Sequence, residues 1–323
     1  MRLPSPRRIV PLALLALLVA LGAGAVGCGT DDPATPTSKV VNAPHQQPLQ
    51  VANGPLAPSP ATSPLTLQLT GTPDPVQIKF GHPPRSGLMF DLDTGKVLWR
   101  KDPTRVLPIA SVTKMMTALV VVDHVQQGAK VKVTKEALAY QGSGVGVLPK
   151  GKWVGLSAML YGLLLPSGND AAIALAQRTA KTVPNFIDMM NERAQEMGLT
   201  CTRYSTPSGF TDRGNHSCAA DLAVEARAIL DEPRIARIVK HRSAVLPFPI
   251  KGGKLYLYNH NPLLQANYPG TLGIKTGFTD AAGRCLVAAV ERNGHRLGVV
   301  LLHSPDPGGQ AEKLFDRGFK AIG

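Results

Sequence analysis

The chain has 323 residues, of which 44% are apolar and 18% charged, and a formal net charge of +13. Its length and apolar content suffice for one globular unit with a substantial core. The basic balance suits anionic polymers and substrates that end in carboxylates. No basic stretch is interleaved with aromatics, so nucleic acid is not an expected partner. The eight histidines show no H-E-x-x-H or comparable spacing, so neither a metal nor another cofactor is expected.

In chain order, Arg2, Arg7 and Arg8 precede an apolar stretch from Leu12 to Leu21 and then small residues up to Cys28. This is a secretory signal pattern, short for a membrane span, and residues 1–27 are expected to direct export. Two processing sites compete. Ala23-Gly24-Ala25 is an A-x-A site that would release a chain beginning at Val26, whereas Ala25-Val26-Gly27-Cys28 resembles a lipobox cut before Cys28. The second is carried forward, because Gly29-Thr30-Asp31-Asp32 makes a plausible tether start and several acyl chains on Cys28 anchor stably where one does not. Loss of the three signal arginines leaves about +10.

Residues 28–84 read as a tether. Twelve of the 28 prolines fall between Gly29 and Pro84, and a flexible segment of that length spans roughly 40 Å on average. Within it, Leu65–Thr70 and Val76–Phe80 alternate like strands and are expected to dock on the domain edge.

Residues 85–323 then form one domain. Pro108–Leu119 reads as the entry to a buried helix with Ser111 in its first turn. Residues three apart share a helix face, so Lys114 lies beside Ser111 and can take its hydroxyl proton. A lysine serves as a base only when neutral, which burial and a nearby cation such as Lys275 favour. Leu156–Ala172 reads as an apolar helix, a Pro/Gly-broken turn and a second helix, with Ser167 and Asn169 at the turn. Ser167 is a candidate proton relay, and Asn169 a candidate clamp for a substrate amide. Pro184–Met197 is helical and ends at Gly198. Cys201 and Cys218 flank a polar loop and are placed to bridge it in an oxidising compartment, while Cys285 reads as a buried thiol in an apolar strand.

Gly270–Thr279 reads as a strand whose hairpin neighbour is the apolar run Cys285–Val290, and Arg292-Asn293-Gly294-His295 turns into a further strand. Lys275 and Thr276 offer a charge and a hydroxyl to a carboxylate, and Gly277 lets a substrate backbone approach. The amides of Ser111 and Phe278 are candidates for an oxyanion hole. Strands at both ends of the domain and helices between them fit an α+β fold with an antiparallel sheet.

Ser111-Val112-Thr113-Lys114, Ser167-Gly168-Asn169 and Lys275-Thr276-Gly277 in this order make an acyl-transfer site. Together they resemble the low-molecular-weight penicillin-binding proteins, serine-type D-alanyl-D-alanine carboxypeptidases of the penicillin-binding/β-lactamase-like superfamily. The Met89–Leu98 hairpin, Ser205–Phe210 and Asp221-Leu222-Ala223 extend the resemblance from about Ser86 onward.

The resemblance implies an antiparallel sheet flanked by helices with an all-helical subdomain. It implies Ser111 as nucleophile, Lys114 as general base, Ser167 and Asn169 as relay and clamp, and Lys275 and Thr276 on the terminal carboxylate. The expected substrates are peptidoglycan stem pentapeptides, with β-lactams as covalent inhibitors. Relatives often continue into a β-rich domain and an amphipathic anchor, so attachment is expected here through Cys28, at the extracytoplasmic face of the membrane. Asn259-His260-Asn261 is expected near the pocket rim. Two other readings stand beside this one. A serine β-lactamase would need a further base, which Glu196–Thr200 distantly resembles, although that stretch reads better as a helix end; a non-catalytic wall-binding lipoprotein would not need a lysine beside a serine.

Overall fold

A computed structural model describes residues 65–71, 73–210 and 214–323. The signal stretch, Cys28 and the start of the tether lie outside the described residues. Among the described residues, no helix is long and apolar enough to cross a membrane.

The domain opens with the hairpin β1 (Ser86–Asp91) and β2 (Val97–Lys101), followed by a short β3 (Leu107–Pro108). A 3-10 turn at Ala110–Thr113 runs straight into α1 (Lys114–His124). Ser111 therefore sits in this tighter turn, just before the α-helix in whose first turn it was expected. The helical part follows: β4 (Lys130–Lys132), α2 (Lys135–Leu138), β5 (Trp153–Gly155), α3 (Leu156–Leu164), α4 (Asn169–Ala180) and α5 (Val183–Glu196). It continues with β6 (His216–Ser217), α6 (Ala219–Asp231), α7 (Pro233–Val239) and the hairpin β7 (Ser243–Pro247) and β8 (Lys254–Tyr258). The chain closes with α8 (Pro262–Gln265), β9 (Thr271–Thr279), β10 (Gly283–Arg292), β11 (His295–Ser304) and α9 (Pro307–Ile322).

β1, β2 and β9–β11 form one antiparallel sheet in the order β2-β1-β11-β10-β9. The fold is therefore α+β, with terminal strands around a helical centre. The β10–β11 turn falls at the expected place, with Asn293 at φ 51° and Gly294 at φ 78°. Two positive φ values in a two-residue loop match the right-handed twist of the strands it joins.

Both faces of the sheet are buried, which is why these strands read as continuous apolar runs instead of alternating ones. Leu88, Phe90, Cys285, Val287, Ala289, Val300 and Leu302 face the helical core. Met89, Leu286, Ala288, Val290, Leu297, Val299 and Leu301 face the other side, where Leu314 and Phe315 of α9 cover them. α1 is the central helix, with Lys114 through Val122 all buried. It packs against α3, α4, α5 and α6, so the turn at its start is held from several directions.

Residues from Leu65 already lie on this domain. Leu65, Leu67 and Leu69 pack against the main core, the Gln68 N–H donates to the Gly95 carbonyl at 3.0 Å, and Asp74 pairs with Arg100 at 2.7 Å. Further on, Val76 is buried, and its N–H donates to the Leu98 carbonyl at 3.0 Å. The two alternating runs dock, but no strand forms in either.

Candidate active site

Ser111 and Lys114 meet as their spacing requires. Lys114 Nζ lies 3.0 Å from Ser111 Oγ, 2.6 Å from Asn169 Oδ1 and 2.9 Å from the Ser208 carbonyl oxygen. Two of these neighbours are amide oxygens that can only accept. The Asn169 orientation is fixed from its other end, where Nδ2 donates to the Gln141 carbonyl at 2.6 Å. A neutral amine has two N–H groups and one lone pair. In that form, donors to Asn169 and Ser208 would leave the lone pair facing the Ser111 hydroxyl, to which the charged form donates. Burial, foremost, and then the charge of Lys275 push the Lys114 pKa well down, against the opposing pull of Asp170. The cause ranked first is thus the lack of water around Lys114, with the neighbouring cation second.

Lys275 on β9 is also buried, and burial pushes its pKa down to about 7. It donates to Ser167 Oγ at 3.0 Å and to the Thr276 carbonyl at 2.8 Å. Ser167 is held at φ 64°, and Ala110, just before Ser111, at φ 49°. Non-glycine residues in this region cost of order 1–3 kcal/mol each, and such strain clusters at functional sites.

A cavity of about 450 Å³ brings Ser111, Ser167, Thr276, Gly277 and Phe278 together with Ser143, His260, Arg284, Cys285 and Asp306. At Gly277 the structure shows a further constraint. A Cβ there would lie 2.8 Å from the Ile109 carbonyl oxygen and 3.1 Å from the Ser111 nitrogen. The glycine lets β9 close onto the Ser111 turn itself, and this brings the strand next to the Ser111 amide. β9 is the last strand of its sheet, so its outer edge borders the cleft, and Phe278 stands 62% exposed beside it.

Asn169 is 2% exposed, and both ends of its amide are engaged, so its contacts orient the lysine and the segment between α2 and β5. Asp170, next to it on α4, holds that segment too: its carboxylate accepts from the amides of Val145 at 2.9 Å and Gly146 at 3.1 Å. Ser143, which lines the cavity, gives its carbonyl to the Asn169 N–H at 2.8 Å. Sequence reading missed Ser143, Asp170 and the Ser208 carbonyl. The Ser-Gly-Asn-Asp run pointed to Asp170, whereas a carbonyl contact leaves no residue-type signature.

His260 reaches the cavity between two buried anchors, Asn259 and Asn261. Burial lowers its pKa, and Lys275 adds to the effect. Cys285 is buried at the cavity wall, and burial pushes its thiol up to about 11. Glu196 does not join this group. It ends α5 and pairs with Arg193 at 3.1 Å. Cys201 and Cys218 form a disulfide away from the cavity, with Cα atoms 5.6 Å apart.

Comparison with known proteins supplies a family. The family profile described as D-alanyl-D-alanine carboxypeptidase matches residues 77–306. The carboxypeptidase DacF of Bacillus subtilis is 32% identical over 75% of this chain and 63% of its own length. DacB2 of Mycobacterium tuberculosis is 36% identical over 73% of this chain and 82% of its own. Among solved structures, a D-alanyl-D-alanine carboxypeptidase from Mycobacterium tuberculosis superposes with a TM-score of 0.69 at 33% identity, covering 80% of this chain and 96% of that one. The Streptomyces K15 DD-transpeptidase gives 0.70 at 31% identity, covering 76% and 100%. The chain thus spans a little under two thirds of DacF and nearly all of the two solved domains.

The contact at Gly277 makes a direct prediction. Gly277→Ala should push β9 off the Ser111 turn and slow acylation of Ser111 by benzylpenicillin about 100-fold, the scale of a misplacement near 1 Å. Stopped-flow or gel labelling with a fluorescent penicillin measures it, and an unchanged rate would mean the turn yields freely.

Proposed function

The chain belongs to the D-alanyl-D-alanine carboxypeptidase family, and from that premise we propose that it removes the terminal D-alanine from peptidoglycan stem pentapeptides through an acyl-enzyme on Ser111. The observation that carries this reading is the partner set of the buried Lys114 amine, within 3.0 Å of Ser111 Oγ and bonded to two oxygens that can only accept. Ser111 Oγ attacks the penultimate D-alanine carbonyl as its proton passes to Lys114 Nζ. The amides of Ser111 and Phe278 hold the oxyanion, and each such donor is worth about 2.7–4 kcal/mol in the transition state. Ser167, bonded to Lys275, relays the proton taken up by Lys114 to the departing amine, so that Lys114 is neutral again and Ser167 keeps its hydroxyl. Lys275 and Thr276 grip the terminal carboxylate, while Asn169 keeps Lys114 in place. Water then hydrolyses the ester and restores Ser111.

Incubation with benzylpenicillin followed by intact-mass analysis tests the reading. A persistent adduct on Ser111, lost in Ser111→Ala and slowed roughly 10²–10⁴-fold in Lys114→Ala, is expected. Rapid loss of the adduct would point to a β-lactamase. No adduct would point to a wall-binding protein.

The two buried lysines set the pH profile. Lys114 must be neutral to take a proton, so acylation falls as pH drops through its lowered pKa. Lys275 must be charged to hold a carboxylate, and its pKa of about 7 makes the second-order acylation constant fall again as pH rises past that value. A bound carboxylate favours the charged form and raises this pKa. The saturating acylation rate should therefore hold to higher pH than the second-order constant. A peptide amidated at its terminus should lose the difference; an identical alkaline limb for both peptides would remove Lys275 from carboxylate binding.

We further propose that the protein acts at the outer face of the membrane, anchored by lipid on Cys28. The signal pattern and the lipobox-like Ala25-Val26-Gly27-Cys28 support this. Cys28→Ala should move the protein from the detergent phase to the aqueous or unprocessed fraction. A mature chain that begins at Val26 and carries no lipid would overturn the anchor.

A further inference from the structure

The Cys201–Cys218 pair lies away from the cavity, yet the loop it closes leads to Lys114. The two cysteines are 17 positions apart. Above them the loop is laced shut: Thr202 Oγ1 meets Ser217 Oγ at 2.7 Å, and Arg203 and His216 exchange backbone hydrogen bonds at 3.0 Å. Asn215 Oδ1 then accepts from the Thr206 N–H at 3.1 Å, and its Nδ2 donates to Thr113 Oγ1 at 3.0 Å, inside the nucleophile turn. On the other limb the Pro207 carbonyl accepts from Thr117 Oγ1 at 2.6 Å, and the next carbonyl, that of Ser208, accepts from Lys114 Nζ. At Gly209, φ is 73° and a Cβ would lie 2.0 Å from the Ala110 carbonyl oxygen. The loop is thus pressed onto the turn that carries Ser111. Its far end is tied to the same turn, because β6 pairs with β3, Leu107 opposite Ser217, just before Ile109.

We propose that the Cys201–Cys218 disulfide is a positioning element for the base: it closes the neck of the loop whose Ser208 carbonyl takes a Lys114 proton and whose packing keeps water away from that amine. This rests on Lys114 acting as the general base. The charged groups that face Lys114 are Lys275 on β9 and Asp170 on α4. Neither belongs to the loop, so the loop acts through shielding and through one carbonyl. Opening the neck admits water, relieves the largest cause of the lowered Lys114 pKa and leaves more of the amine protonated near neutrality.

The test is the Cys201→Ser/Cys218→Ser double variant of the whole protein, with penicillin acylation followed as a function of pH. A rise of one unit in the Lys114 pKa lowers the neutral fraction about tenfold on the acid side. The expected result is a deficit of about tenfold at low pH that closes as pH rises, with the acid limb displaced upward. Superimposable profiles would overturn the proposal, and so would a deficit equal at every pH, which signals lost folded protein. If the double variant gives no cooperative melt, the native protein is assayed immediately after mixing with excess dithiothreitol. There the disulfide accepts two electrons and two protons to give two thiols, the reagent closes to its cyclic disulfide, and the same pH-dependent deficit is required. Should Lys114→Ala itself acylate normally, the base assignment fails. Should only the double variant match the native profile, the base stands and the disulfide has no part in holding it.

Discussion

The site depends on an amine kept out of water. Lys114 can act as a base only while uncharged, and an ordinary lysine is charged at neutral pH. The fold arranges the exception by placing the side chain at the start of a helix buried on all sides, with two carbonyl oxygens to absorb its donors. The surrounding constraints serve that arrangement. Asp170 fastens the segment between α2 and β5, Asn169 spans from that segment to the lysine, Asn215 ties the opposite loop to the Ser111 turn, and the bare Gly277 admits β9. Each acts on a backbone segment, and together they leave the amine one open direction, toward Ser111.

Local chemistry was legible in the sequence because it is encoded locally. Ser111 and Lys114 are three apart, and any helical turn brings them together; the hairpin turn at Asn293-Gly294 needs two residues that tolerate positive φ. Long-range approach was less legible. Gly277 was read as room for a substrate, and a side chain there would also meet the Ile109 carbonyl, 168 positions away by number. Asn169 was read as a clamp for a ligand, and its amide also bonds Lys114 and the Gln141 carbonyl. The Ser208 carbonyl could not be foreseen, since every residue has one. The alternation at Leu65–Thr70 and Val76–Phe80 did foretell docking, although neither run forms a strand.

The lysine pair also shows why position alone does not define an electrostatic role. Lys275 was expected to keep Lys114 neutral as a neighbouring cation. Its effect is present, but burial comes first for both residues. Two ammonium groups cannot share a dry site cheaply, so a charge on Lys275 works against a second charge on Lys114.

The outer edge of β9 has a consequence of another kind. An unpaired strand edge offers a row of amide donors and acceptors to any extended chain, and in most proteins this is a route to aggregation. Here the edge borders a cleft beside the Ser111 turn, with Thr276 and Gly277 along it and Phe278 at its exposed end. An extended peptide pairs with such an edge through backbone groups alone, whatever its side chains.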